Sequence, residues 1–236
     1  MIIAANLKTN FTRKQTSQYI EELETFMTSS NSSQDVLVFP ATSSLDTYDG
    51  KVSVGAQNAY ATNNGAFTGE IGLDHLAEFG IKTILIGHSE RRHVLGETQT
   101  TIVEKFNFYK NLGFKIVYCV GEPLAKREAG NEEMMRYISQ QYEGIDTNYD
   151  NLIIAYEPVW AIGTGLTPTL EDIEQIHKDL KTKSPAPLLY GGSVKVTNAK
   201  EVLAIQNVDG ILVGSAALYA EHFCSMISYA DELKEL

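Results

Sequence analysis

Read for apolar and polar positions, the chain is a series of short apolar runs separated by stretches of helical period. The runs occupy residues 2–5, 36–39, 52–56, 83–86, 115–120, 152–156, 188–190 and 210–213. Most are continuous in Ile, Val and Leu and do not alternate with polar residues, as expected of parallel strands covered on both faces. Between them, Tyr19, Ile20, Leu23, Phe26 and Met27 fall at spacings that place them on one helix face, as do Ile173, Ile176 and Leu180. Thr169 with Asp172 in register behind it resembles a helix-opening capping pair, an acid standing where Glu or Gln is usual. Residues 40–51 leave room for only a turn or two of helix. The eight runs alternate with helices without a composition break or a Pro- or Ser-rich linker. The pattern therefore predicts an α/β fold, a single (β/α)8 barrel domain over residues 1–236, in preference to a doubly wound sheet.

Polar residues collect where the apolar runs stop. Asn6 and Lys8 follow the first run, Gln57 and Asn58 the third, and Gly87-His88-Ser89-Glu90 the fourth. Gly121-Glu122 follows the fifth and Glu157 the sixth; Gly191-Gly192-Ser193 and Gly214-Ser215 close the last two. In a barrel these ends converge on one rim, where barrel enzymes keep their active sites. The segment after the sixth run is the most distinctive. Pro158 and Trp160 stiffen the exit from Glu157, while Gly163 and Gly165 free the backbone. A carboxylate, an apolar flap and exposed N–H groups for an anion together suit a lid beside a base.

Composition narrows the options. Apolar residues make up 43% of 236, enough for a sizeable core, and the net charge of −11 argues against nucleic acid or an anionic membrane as partner. A small anion remains compatible with a locally positive site. Two cysteines, Cys119 and Cys224, do not make a disulfide scaffold and suit a reducing, cytoplasmic setting. No apolar run approaches the roughly 18 residues of a membrane span. No Cys-x-x-Cys or His-x-x-x-His cluster suggests a metal.

Five motifs then carry a resemblance. Asn6-Leu7-Lys8, Ile86-Gly87-His88-Ser89-Glu90-Arg91-Arg92, Cys119-Val120-Gly121-Glu122, the stretch 155–165, and Tyr190-Gly191-Gly192-Ser193 resemble the triosephosphate isomerase family in order and spacing. Gly65-Ala66-Phe67-Thr68-Gly69-Glu70 is similar to that family's dimer-interface loop. The resemblance runs from Ile3 to about Leu218. It implies interconversion of dihydroxyacetone phosphate and D-glyceraldehyde 3-phosphate through an enediolate, in glycolysis and gluconeogenesis. It further implies no cofactor, no metal, and a cytoplasmic homodimer. The chain departs from the family pattern at Leu7, where an aromatic is usual, at Ser215, where a second Gly is usual, and at Pro168 and Leu170.

On that resemblance, Glu157 is the general base, whose basicity rises when a closing lid strips it of water. His88 is the electrophile, kept neutral by the positive end of the helix that follows it. Lys8 stabilises the enediolate and the phosphate dianion, and Asn6 positions Lys8. Gly163, Ser193, Gly214 and Ser215 offer backbone N–H groups to phosphate, aided by a helix end after the eighth strand. Ser89, Glu90 and Cys119 support the site: Glu90 as an electrostatic anchor for Lys8, Cys119 by packing near Glu157. Arg91 and Arg92 are expected in structural or interface ion pairs. Thr68 is expected to reach into a partner's site. Taken singly, several of these residues read otherwise. A strand-end Glu can simply pair with a cation, and glycine-rich loops after the last two strands fit other phosphosugar barrels equally well. His75, His93, His177 and His222 are read as structural.

Overall fold

The computed structural model describes residues 1–162 and 166–234. Eight parallel strands, β1 (Ile2–Asn6), β2 (Asp35–Phe39), β3 (Val52–Val54), β4 (Thr83–Ile86), β5 (Lys115–Val120), β6 (Leu152–Tyr156), β7 (Leu188–Tyr190) and β8 (Gly210–Val213), hydrogen-bond in the order β3-β2-β1-β8-β7-β6-β5-β4. A parallel bridge from Ala56 to Ile84 joins the two ends, so the sheet closes into a (β/α)8 barrel. Among the described residues the helices are α1 (Arg13–Ser29), α2 (Leu73–Glu78), α3 (Ser89–His93), α4 (Gln99–Asn111), α5 (Leu124–Glu128), α6 (Asn131–Gln140), α7 (Leu170–Lys181), α8 (Val196–Leu203) and α9 (Ala220–Lys234). A single 3-10 turn, Thr42–Ser44, occupies the short 40–51 stretch.

Two separate cores explain why the strands read as continuously apolar. Side chains alternate across a strand. Ala4, Leu37, Leu85, Val117, Cys119, Ile153, Ala155, Leu189 and Leu212 turn inward with Phe39 and fill the barrel. Their neighbours, among them Ile3, Val38, Ile86, Tyr118, Ile154 and Tyr190, turn outward and pack with helix residues such as Leu23, Phe106, Ile176 and Phe223. The register keeps the inner set together, pairing Ala4 with Leu37 and Leu212, and Cys119 with Ala155. Carried one step past the strands, the same alternation brings Asn6 and Glu157 to the inner face, beside Gly87, Gly121, Gly191 and Gly214. A layer rich in glycine leaves that mouth open.

The third strand is shorter than its sequence predicts. Regular pairing with β2 covers only Val52–Val54. Gly55 still donates to Val38 O at 2.9 Å, but Ala56 bonds across the other side, donating to Thr83 O at 2.9 Å and accepting from Leu85 N at 2.8 Å. The chain changes partner at this step to close the ring. It passes the Phe39 ring there so closely that a Cβ on Gly55 would lie 2.4 Å from it.

The start of α7 matches the capping pair read from the sequence, and α1 starts in the same way. Thr12 and Gln15 form a capping box at α1, and Thr169 and Asp172 form one at α7. Tyr19, Ile20, Leu23 and Met27 of α1 are buried. Ile173, Ile176 and Leu180 of α7 are buried too, together with His177. The His177 ring lies edge-on to Tyr156, and its Nδ1 donates to Asn207 O at 3.0 Å, since a carbonyl can only accept. Burial lowers its pKa from 6.5 to about 4, only partly offset by that hydrogen bond. The folded value lies below the unfolded one, so between these pH values the unfolded chain binds the extra proton. Stability is therefore intact above pH 6.5 and falls as pH drops towards about 4. At about 1.4 kcal/mol per unit the loss is about 3 kcal/mol. Urea unfolding of wild type and His177→Asn across this range should give curves that converge as pH falls; parallel curves would refute the assignment.

Candidate active site

Lys8 leaves β1 in the left-handed region, at φ 52, a conformation that costs a non-glycine residue about 1–3 kcal/mol unless its surroundings impose it. Two side chains impose it. Asn6 Oδ1 accepts the Lys8 backbone N–H at 3.0 Å, and Gln57 Nε2 donates to Lys8 O at 2.7 Å and to Phe39 O at 2.9 Å. The ammonium donates to Glu90 Oε1 at 2.6 Å, as expected of an anchor. Sequence reasoning gave Asn6 its role. It missed that of Gln57, marked only as a polar strand end.

His88 is outward by strand parity and reaches the mouth only because the backbone turns at Gly87, φ 78. The space beside Gly87 holds the Arg92 guanidinium, which would lie 2.7 Å from a Cβ there. Arg92 donates to Gly87 O at 2.7 Å and to Tyr118 OH at 2.9 Å. Within the chain it works through neutral oxygens and not through an ion pair. Arg91 does form one, with Glu97 at 3.2 Å, and Lys105 pairs with the same carboxylate.

His88 and Glu157 meet. His88 Nε2 lies 2.9 Å from Glu157 Oε1, and Glu157 Oε2 accepts the Ser89 N–H at 2.9 Å. His88 Nδ1 accepts the Glu90 N–H at 3.3 Å, which leaves the proton of a neutral ring on Nε2, facing the carboxylate. Both side chains are buried. The backbone at Glu157 is pinned by its N–H donating to Val120 O at 2.7 Å. Gly121 stands so close that a Cβ would lie 1.7 Å from Glu157 O, so no other residue fits there.

Electrostatics at this pair depart from the expectation of a depressed histidine. Burial opposes charge on His88, but the Glu157 carboxylate outweighs it and raises the His88 pKa above its ordinary value. Burial likewise opposes charge on Glu157; His88, the Ser89 N–H and Lys8 outweigh it and hold the carboxyl below its usual range. The α3 turn that follows His88 is only five residues long. Its Glu90 N–H still favours an unprotonated Nδ1, but the adjacent carboxylate is the stronger influence.

A cavity of about 690 Å³ opens above the pair, lined by Asn6, Lys8, His88, Glu157, the 191–193 backbone, Gly214 and Ser215. Gly214 stands near Lys8: a Cβ on it would lie 3.5 Å from Lys8 Cε. The helix end expected after β8 is a 3-10 turn, Ser215–Leu218, ahead of α9. Ser193 Oγ donates to Ala161 O at 3.1 Å, tying the loop after β7 to the segment that follows Glu157. Gly163 lies outside the described residues. Cys119 is buried in the barrel beside Glu157, and burial raises its thiol pKa well above the ordinary value. Thr68 is exposed and lines neither this cavity nor the groove next to it.

Glu122 is a further residue that sequence alone left unassigned. It is fully buried, and its Oε1 accepts from Tyr156 OH and Trp160 Nε1, each at 3.0 Å. Its carbonyl accepts the Val159 N–H at 3.1 Å. The start of the flap is thus seated on the end of β5. Burial raises the Glu122 pKa, against the pull of Trp160 and Tyr156. Among the described residues no His, Cys, Asp and Glu side chains group to hold a metal, and no helix is long and apolar enough to cross a membrane.

Comparison with known proteins agrees with this geometry. The family profile described as triosephosphate isomerase matches residues 1–230. A triosephosphate isomerase of Sulfurimonas denitrificans is 72% identical over 233 residues, covering 99% of this chain and 97% of its own. One from a Sulfurovum species is 56% identical, covering 96% of this chain and 99% of its own. One from Wolinella succinogenes is 52% identical, with the same coverage of both chains. The closed eight-stranded barrel, the paired Glu157 and His88 at its mouth and these near-full-length identities together make the chain a member of the triosephosphate isomerase family.

Proposed function

We propose that the chain interconverts dihydroxyacetone phosphate and D-glyceraldehyde 3-phosphate, in glycolysis and gluconeogenesis, with Glu157, His88 and Lys8 carrying the chemistry. The observation that bears most weight is the 2.9 Å contact between His88 Nε2 and Glu157 Oε1 at the floor of a cavity walled by Lys8 and glycine-rich loops. The two groups occupy each other, so a substrate must part them. Once apart, Glu157 loses a partner that held its pKa down, while its burial remains. The base therefore strengthens on binding. His88 loses the carboxylate that favoured its charge and keeps the Glu90 N–H on Nδ1, so it meets the substrate as a neutral donor through Nε2.

The steps follow from that placement. Glu157 takes a proton from the carbon next to the carbonyl, and an enediolate forms. His88 Nε2–H donates to the substrate oxygens and passes a proton between them. Lys8 offsets the negative charge, at a position fixed by Asn6 and Gln57. Glu157 then returns its proton to the neighbouring carbon. The phosphate is held by backbone N–H groups at Ser193, Gly214, Ser215 and Gly163, and Ser89 and Glu90 hold the base and the lysine at rest. The segment 158–168 covers the site, excluding water and discouraging loss of phosphate from the intermediate.

Glu157→Asp retracts the base by one methylene and keeps its charge. It should lower kcat by about a hundredfold, with KM little changed and the circular dichroism spectrum intact. Wild-type activity absent from a coupled isomerase assay, or a fully active Glu157→Gln, would defeat the assignment.

The functional unit in this proposal is a cytoplasmic homodimer. Supporting it, residues 63–70 are exposed, and Phe67, Val94 and Leu95 present large apolar side chains to solvent. A groove of about 870 Å³ runs from Asn58 and Glu70 past Val94 to Lys8, wide enough to receive a loop carrying Thr68. Light scattering should give twice the chain mass, and Thr68→Arg should favour monomer and lower activity together. A monomeric wild type at full activity would overturn the dimer.

A further inference from the structure

Arg127, on α5, touches both ends of the 158–168 segment. At the exit, its Nη2 donates to Asp172 Oδ1 at 2.6 Å. The other oxygen of Asp172 accepts from Thr169 N at 3.2 Å and from Thr169 Oγ1 at 3.0 Å, so the same carboxylate caps α7 directly after Pro168. At the entry, the Arg127 guanidinium carbon lies 5.4 Å from the centroid of the Trp160 ring. Its Nη1 approaches Glu122 Oε1 to 3.9 Å, the atom that also receives Trp160 Nε1. Nη1 also meets Met134 Sδ at 3.4 Å, which ties the group to α6.

The stability of the fold does not account for this arrangement. The Asp172 side chain is 42% exposed, and an ion pair of that exposure contributes little to stability. Thr169 and Asp172 form their capping box without help from Arg127. What the guanidinium adds is a direct link between Trp160 and Asp172, one on each side of the middle of the segment. Both contacts use the planar face and the fork that arginine combines in one group.

We propose that Arg127 is a positioning residue for the isomerisation, holding the entry and the exit of the 158–168 segment in fixed relation through Trp160 and Asp172. The proposal rests on the reading of that segment as the cover over the substrate. Changes at the ends of such a cover alter kcat and KM together. Without the link, a smaller fraction of molecules has the cover in its competent position, and apparent affinity falls by that fraction.

The test uses the full-length protein with Arg127→Met and Arg127→Lys. Trp160 is the sole tryptophan, so its emission reports the entry directly. Arg127→Met should lower kcat/KM by about tenfold, shift Trp160 emission and increase its quenching by acrylamide. Arg127→Lys keeps the charge but lacks the planar fork, so it should restore only part of each. Asp172→Asn keeps an acceptor for the cap and loses the charge. It should lower kcat/KM in the same direction, and the double variant with Arg127→Met should be no worse than Arg127→Met alone. If Arg127→Met fails to fold, Asp172→Asn decides, and unchanged kcat/KM in that variant rejects the link. An active wild type with Arg127→Met within twofold of it overturns the proposal. If wild type itself does not isomerise, the reading of the cover fails instead. Emission then decides the link: a shift in Arg127→Met that Arg127→Lys partly reverses supports it, and an unshifted Arg127→Met rejects it.

Discussion

A strand sends its side chains to alternate faces, and closing eight strands into a ring turns that alternation into stacked layers. Everything at the mouth of this barrel follows from where the layers end. Leu189, Ala155, Cys119 and Leu212 fill the interior. The next inward positions after β4, β5, β7 and β8 are glycines, and Asn6, Phe39 and Glu157 share the layer. Glu157 therefore stands on a packed floor between glycine backbones, with His88 as its side-chain partner. Its carboxylate is deprived of water yet reachable by a small ligand, the combination a carbon acid requires. His88 joins from the opposite parity, and only the turn at Gly87 makes that possible.

The pair at the centre bears directly on the roles proposed for Glu157 and His88. Each partner stabilises the other's charge against burial. A ligand between them removes that stabilisation from both at once. In the proposed reaction this makes the carboxylate the stronger base where a proton is to be taken. The imidazole returns towards neutrality just where a hydrogen bond must be given. The contact lets two buried groups take from each other the stabilisation that water would otherwise give.

Much of this was legible in the chain. The strand runs ending at Ile86, Val120, Tyr156, Tyr190 and Val213 match the observed ends, because apolar runs bounded by Gly, Glu or Pro leave little choice. The Thr169–Asp172 cap was visible for the same local reason. What escaped was set by partners far away in sequence. The third strand stops early because Ala56 turns to β4. Gln57 and Lys8 are 49 positions apart, and Glu122 and Trp160 are 38 apart. The direction of the His88 shift depends on a carboxylate 69 residues on, whereas the chain nearby displays only a helix start.

The seam between β3 and β4 has a dynamic consequence. Its closure is one bridge, whereas β5 and β6 are joined through five registered pairs. Local opening begins where fewest backbone hydrogen bonds must break together. Thermal breathing of the ring is thereby directed to the seam, beside Gln57, and away from the strand that carries Glu157. The barrel can yield at one stave while the base stays registered, so flexibility and chemical precision are allotted to different parts of the same sheet.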